Sequence, residues 1–395
     1  MMARVNSKNT SGEQKPETIA VSAGRMTAEH FGAVNTPVYR TSTILHPSLE
    51  SLKGEQLPYK YGRRGTPSSR SFESAIEELE GGARCVAVPS GLNAIATAIL
   101  AVCGAGDHLL MTDSCYGPTR IFCDKTLKRF GVETQYYDPL IGAGIASLFQ
   151  PNTRAIYCES PGSLTFEIQD IPAIAAVAHE RGLSVLLDNT WATPVLFRAL
   201  DHGVDLSIMS GTKYVGGHAD VMVGTITANA DHVKRLEAFH GDTGLFLGGD
   251  DTYLSLRGVR TLPVRLKRHQ ESALKLTHWL RTRPEVTRVL YPALESDPGH
   301  AIWKRDFKGS SGLFGVELKP VNAAALSAFF NGFHHFGLGY SWGGFESLVI
   351  PADFKRTAMA FEVSGPLIRL HAGLEDADDL IADLESGFAR MKAAS

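Results

Sequence analysis

From Cys85 to Met209, short apolar runs recur at intervals, separated by stretches with helical spacing, and this rhythm admits few folds. Cys85-Val-Ala-Val, His108-Leu-Leu-Met, Thr134-Gln-Tyr-Tyr, Arg154-Ala-Ile-Tyr-Cys-Glu, Leu183-Ser-Val-Leu-Leu-Asp and Leu206-Ser-Ile-Met are all of strand length. Ser68 to Leu79 ahead of them, and the stretch after Ser90 and Ile171 to Arg181 between them, read as helices. Strand–helix alternation of this kind predicts an α/β fold with a mostly parallel sheet. In such a sheet, ligand-binding groups collect at the carboxyl ends of the strands.

Those ends carry polar residues that invite chemistry. Glu159 and Asp188 each close an apolar run, where a carboxylate needs a partner. Asp188 could pair with a protonated ring nitrogen, or simply cap the turn that follows. Ser90 stands as N-cap of an apolar helix, and Gly91 leaves its first amides open, a phosphate cradle that is also the common way an α/β unit turns a corner. Tyr116, in Tyr116-Gly-Pro, offers a ring face for stacking or for loop packing. The run Leu206 to Met209 ends in Ser210-Gly-Thr-Lys-Tyr. A Lys213 amine held in a dry pocket there would turn nucleophilic near neutral pH, with the Ser210 and Thr212 hydroxyls available to a phosphate. Lysine, hydroxyls and aspartate together suggest a pyridoxal-phosphate Schiff base; the plainer alternative for the stretch alone is a surface-loop lysine. The order Gly-Thr-Lys does not make a P-loop. No Gly-x-Gly-x-x-Gly follows an early strand, which counts against a dinucleotide site.

A net charge of -3 gives no electrostatic footprint for nucleic acid or an anionic membrane. No apolar run reaches the ~18 residues of a transmembrane helix. The polar N-terminus lacks a signal-peptide core, so the sequon at Asn9 carries no weight and a cytoplasmic enzyme is expected. The cysteines (Cys85, Cys103, Cys115, Cys123, Cys158) show no zinc spacing and are expected to be reduced thiols. The histidines form no metal-binding pattern either.

Domain organisation follows from the same pass. Residues 1–60 form an arm without a core of its own, which must lie on the main domain or on a neighbouring subunit. Within Tyr59-Lys-Tyr-Gly-Arg-Arg-Gly-Thr-Pro, Tyr61 and Arg63 read as an anion clamp or as a solvated basic loop. Residues 61–257 form the large domain and 258–395 a smaller C-terminal α/β domain, reached through a long amphipathic helix that ends at Arg281. Ile368-Arg-Leu-His is a strand there, and Arg369 in its apolar setting needs an anion.

Taken together in order and spacing, several segments resemble the Cys/Met-metabolism enzymes that use pyridoxal phosphate, most of all their bacterial cystathionine β-lyase branch. They are Tyr61-Gly-Arg-Arg-Gly-Thr-Pro, Pro89-Ser-Gly-Leu-Asn-Ala-Ile, Glu159-Ser-Pro-Gly-Ser, Leu187-Asp-Asn-Thr-Trp-Ala-Thr-Pro and Ser210-Gly-Thr-Lys-Tyr. Arg257-Gly-Val-Arg-Thr-Leu, Tyr340-Ser-Trp-Gly-Gly-Phe-Glu-Ser-Leu and Leu367-Ile-Arg-Leu-His-Ala-Gly-Leu-Glu continue the match.

The resemblance implies a type I pyridoxal-phosphate fold, aspartate aminotransferase-like, with a seven-stranded sheet. It implies a Schiff base on Lys213, a pyridine-nitrogen contact from Asp188 and stacking by Tyr116. Ser90, the Gly91 and Leu92 amides and the Ser210 and Thr212 hydroxyls would hold the phosphate, with Glu159 and Ser163 near the ring. Tyr61 and Arg63 would reach the phosphate of a neighbouring subunit, which requires at least a dimer and usually means a tetramer. Arg369, with Ser341 and Trp342, would hold the substrate carboxylate. The implied reaction is β-elimination from L-cystathionine, giving homocysteine, pyruvate and ammonia. Trp342 stands where γ-acting relatives usually carry leucine, and Ser163 matches the Gly-Ser form of the β-lyases. The stretch Phe239-His-Gly-Asp-Thr-Gly lacks the tyrosine of that branch, which opens the way to broader cysteine-S-conjugate cleavage. γ-Lyase or γ-synthase activity on the same scaffold, a regulatory protein that keeps the cofactor without turnover, and a nucleotide-binding oxidoreductase are the remaining alternatives.

Overall fold

A computed structural model of the chain describes residues 14–54 and 57–395; Asn9 and the start of the arm lie outside them. The first sheet holds seven strands: β1 (Arg84–Val88), β2 (His108–Thr112), β3 (Glu133–Tyr137), β4 (Thr153–Glu159), β5 (Ser184–Asp188), β6 (Leu206–Met209) and β7 (Gly224–Ala228). Their spatial order is β1-β7-β6-β5-β4-β2-β3. The pairs from β6 across to β3 are parallel, and only β7 runs against its neighbours. The α/β fold with a mostly parallel sheet is therefore present. Every residue of β2, β5, β6 and β7 is buried, as a sheet covered on both faces demands. β7 had no clear signature: Gly224-Thr-Ile-Thr-Ala interleaves threonines with its one long apolar residue, so its burial is invisible to a hydropathy reading.

Local chemistry sets the helices that flank this sheet. Ser90 caps the helix Gly91–Val102 by accepting from Asn93 N at 3.2 Å. Thr66 and Ser69 form a capping box at the start of Pro67–Glu80. The long helix expected up to Arg281 runs Leu262–Leu280 and is preceded by a separate helix, Gly249–Val259. Pro263 sits in its first turn, where the missing N–H costs nothing.

Beyond it stands a second sheet, β8 (Val286–Leu290), β9 (Leu313–Leu318), β10 (Leu348–Pro351) and β11 (Leu367–His371), ordered β10-β11-β9-β8 with antiparallel pairs. β8 escaped the sequence reading because its first half is solvent-facing and reads as loop. The helices Leu262–Leu280, Ala323–Phe330 and Ala377–Ala393 complete this part, with Phe329 and Phe388 ring centroids 5.1 Å apart. One apolar core runs from Phe72 and Ile76 through Leu187 and Tyr214 to Phe314 and Leu384, so the two sheets share an interior. Among the described residues, no helix is long and apolar enough to cross a membrane. All of the cysteines are buried free thiols.

The described part of the arm begins by lying on its own chain. Ala20 and Ala23 are buried, and their carbonyls accept from Arg260 at 2.9 and 2.7 Å. Further on, Phe31, Leu45, Leu49 and Leu52 all expose more than half of their surface.

The two sheets are also latched by a single carboxylate. Asp113, just past β2, accepts from Arg120 Nη2 at 2.6 Å, from Thr357 N at 2.7 Å and from Ala358 N at 2.8 Å. Burial alone would raise its pKa, but the Ala358 and Thr357 amides and the Arg120 guanidinium outweigh that and hold it below the usual carboxylate value. A depressed carboxylate pKa gives stability that is present above the unfolded-state pKa and lost as pH falls through the folded one. Asp113→Ala leaves a buried guanidinium and several N–H groups unpaired, a loss of about 3–5 kcal/mol. Denaturant unfolding should show that drop near pH 7, and the gap between the variant and the parent should narrow on acidification.

Candidate active site

Carboxylates lie at or just past the carboxyl ends of several parallel strands, among them Asp113 after β2, Glu159 at the end of β4 and Asp188 at the end of β5. Ser210 follows β6, and the backbone then turns so that Lys213 N bonds Ser210 O at 3.1 Å. Glu159 and Asp188 are register partners on adjacent strands. Burial raises both pKa values, and for Glu159 the neighbouring Asp188 adds to the rise. Their hydrogen bonds separate the roles. Asp188 accepts from the Thr190 hydroxyl and from Thr190 N at 3.0 Å, and its other oxygen has only Tyr157 OH at 3.4 Å. Glu159 accepts a single N–H, from Tyr116 at 2.8 Å. The better-supplied Asp188 is thus favoured over Glu159 as the ionised member of the pair.

Lys213 comes up beside them. Its Nζ donates to Ser341 Oγ at 2.7 Å and lies 5.4 Å from the centroid of the Trp342 ring. Burial, and then the nearby Arg369, push its pKa down to about 8, with Asp188 opposing. Arg369, on β11, donates to Ser341 O at 2.8 Å, and burial pushes its pKa down to about 10. Neither cation has a carboxylate within ion-pairing distance among the described residues. Two largely desolvated cations without a carboxylate partner mark a place that takes an anionic ligand.

The other expected residues fall around this centre. Gly91 abuts Ser210: a Cβ there would stand 2.4 Å from the serine Cβ, so the helix N-terminus and the Ser210 turn form one cradle. Leu92 is partly exposed beside it. The Thr212 hydroxyl donates to Val223 O at 3.1 Å and accepts from Val223 N at 3.0 Å, which pins it to the start of β7. Tyr116 is about half exposed, and burial with Glu159 raises its pKa, keeping the phenol protonated at neutral pH. Ser163 N bonds Ser114 O at 2.8 Å, which sets the loop after β4 against the one before Tyr116. Tyr61 and Arg63 are elsewhere. Arg63 donates to Gly241 O at 2.7 Å, and both residues line a cavity of about 700 Å³ that includes none of the Lys213 group.

Several participants were not singled out from sequence. Thr190 links the acid to the cradle, since its hydroxyl donates to Asp188 and accepts from Ser210 N at 2.8 Å. Its position two residues after Asp188 was the available signal. Tyr157 gave none, because a tyrosine inside an apolar strand reads as core. Tyr214 and His371, packed 5.9 Å apart behind the lysine, looked equally unremarkable.

The residues fit a pyridoxal phosphate. A buried amine of lowered pKa, a buried acid with one nearly free oxygen, an open helix N-terminus against a serine and an unpaired buried guanidinium match its aldehyde, ring nitrogen, phosphate and carboxylate-bearing substrate.

Comparison with known proteins agrees with this geometry. The family described as Cys/Met metabolism PLP-dependent enzyme matches residues 17–389. The cystathionine beta-lyase of Escherichia coli K12 is 46% identical over 395 residues, covering 96% of this chain and 99% of that protein. That of Salmonella typhimurium LT2 is likewise 46% identical, with 96% and 99% covered. The structure of cystathionine gamma synthase from Xanthomonas oryzae pv. oryzae, in complex with aminoacrylate and cysteine, superposes with a TM-score of 0.90 at 32% identity, covering 97% of this chain and 100% of that one. With the match spanning both sheets and every element of the Lys213 site, the chain belongs to the Cys/Met metabolism family of PLP-dependent enzymes.

Proposed function

We propose that this enzyme cleaves L-cystathionine by β-elimination to homocysteine, pyruvate and ammonia. The observation that carries the reading is the pairing of Lys213, its pKa lowered to about 8, with Arg369, which has no carboxylate partner, about one shared turn. When bound, the cofactor supplies an electron sink for the pair left behind at Cα. The chain's own residues do the rest.

Lys213 would hold the cofactor through its amine. Released by the substrate amine, it takes the Cα proton, for which it must be neutral. Asp188 would pair with the ring nitrogen and favour its protonated form, while Glu159, whose pKa burial and Asp188 both raise, would keep its own proton. Tyr116 would stack on the ring, and Ser163 would lie near its hydroxyl. Ser90, the Gly91 and Leu92 amides and the Ser210 hydroxyl would take the phosphate, joined by the Thr212 hydroxyl once it turns away from Val223 O. Arg369 forks onto the substrate carboxylate, with Ser341 and Trp342 as the wall beside it. Trp342 supports β- over γ-cleavage, since an indole with its ring centroid 5.4 Å from Nζ would limit how far the amine can swing to a second abstraction.

Tyr61 and Arg63, remote from Lys213 in their own chain, would complete the phosphate site of a neighbouring subunit. The uncovered Phe31, Leu45, Leu49 and Leu52 of the 1–60 arm support its docking on that subunit, in a dimer or tetramer. The division at 257 and 258 would then separate a cofactor-binding part from a substrate-closing part. Buried free thiols suit a cytoplasmic setting.

Product analysis tests the reaction. Pyruvate with homocysteine is expected; 2-oxobutyrate with cysteine would mean γ-cleavage and refute it. Pyruvate released equally well from other cysteine S-conjugates would widen the substrate class. Lys213→Ala should lose roughly 100- to 10,000-fold in kcat, the span of a general base. Arg369→Ala should raise KM roughly 10- to 150-fold, as loss of a charged hydrogen bond worth about 1.5–3 kcal/mol. Because the base works only when neutral, kcat should climb with pH and level off above about 8.

A further inference from the structure

We infer that His371 is a positioning residue, which holds the Ser341–Glu346 turn against Lys213 and so fixes where Ser341 and Trp342 meet the lysine amine. The inference rests on the assignment of Lys213 and Arg369 above. His371 is the last residue of β11, two positions beyond Arg369, and its side chain is completely buried. Its Nε2 is 3.1 Å from Gly343 N, and its Nδ1 is 3.1 Å from Glu346 O. An amide can only donate and a carbonyl can only accept, so the ring is neutral with its proton on Nδ1. Burial and the facing His269, Arg369 and Lys213 all disfavour a second proton, and no carboxylate is among the groups acting on it. His269 and Tyr214 pack on the ring at 5.1 and 5.9 Å.

The turn needs such a hold. Ser341 has φ +78°, a left-handed conformation costly for a side-chain-bearing residue. Gly343, at φ +85°, lies so near the lysine backbone that a Cβ would stand 2.9 Å from Lys213 C and from Tyr214 N. The Ser341–Gly343 half of the turn is tied down by Lys213 Nζ, by Arg369 and by His371. Two of those ties belong to groups that change partners: Lys213 goes to the cofactor and Arg369 to a carboxylate. His371 keeps its place throughout, and the turn stays registered on Lys213 while the other two ties are exchanged.

Three holoenzyme variants test this. In His371→Gln an amide oxygen replaces Nε2 and still accepts from Gly343 N. The side chain of His371→Asn reaches only the Glu346 side, and that of His371→Phe replaces neither contact. The measurements are kcat and KM with L-cystathionine, and the pH midpoint of the absorbance of the lysine-bound cofactor. The Gln variant should stay within about threefold of the parent in kcat/KM, whereas Asn and Phe should lose about 10- to 100-fold, the scale of a misplacement near 1 Å. In the same two variants the absorbance midpoint should move by about half a unit or more, because the surroundings of the lysine amine have changed. A midpoint and kcat/KM unchanged in all three, or a Gln variant as impaired as Asn, would overturn the inference. If the Phe variant fails to fold, the Gln and Asn pair decides alone. Absence of any borohydride-fixable colour on Lys213 in the parent would instead overturn the cofactor assignment, a separate failure.

Discussion

Burying an amine costs free energy unless something keeps it in place and something else later pays that cost back. Lys213 and Arg369 both sit in surroundings that disfavour their charge, and both bond the same serine, one its hydroxyl and the other its carbonyl. The destabilised cations make the centre receptive to anions and leave the lysine ready to give up a proton near neutral pH. The carboxyl edge of the first sheet answers with Asp188 and Glu159 on adjacent strands, where the supply of hydrogen-bond donors decides which acid keeps its charge.

The centre belongs to neither sheet alone. Lys213, Asp188 and the Gly91 helix come from the parallel sheet; Arg369 and His371 are on β11, and the Ser341 turn lies close by that strand. Asp113 reaches across from the end of β2 to the backbone of Thr357 and Ala358, and a continuous apolar core underlies both parts. The relative placement of the sheets is thus fixed by groups outside the reacting centre, which frees the centre to carry unpaired charge.

Most of the parallel strands were legible in the sequence because burial on both faces leaves apolar runs, and because the segments at their ends carry conspicuous residues such as Asp188 and Lys213; edge strand β3, only partly buried, lacks such a run. β7 and β8 were not: threonines dilute one, and solvent exposure dilutes the other. At the site, each conspicuous residue was visible but weak by itself, and only order and spacing made a set of them. The supporting residues stayed hidden for a physical reason. Thr190, Tyr157 and His371 act through contacts between segments far apart or through a single hydroxyl, and nothing about a threonine in a turn or a histidine ending a strand announces its partners. Tyr61 and Arg63 lie outside the Lys213 group of their own chain, and their place in the sequence gave no sign of that.

The Ser341 turn and β11 come from the last part of the chain, more than a hundred residues after Lys213. The lowered lysine pKa is therefore a property of the completed chain: Arg369, one of its causes, and Ser341, the lysine's hydrogen-bond partner, both arrive from a part of the sequence remote from Lys213 itself.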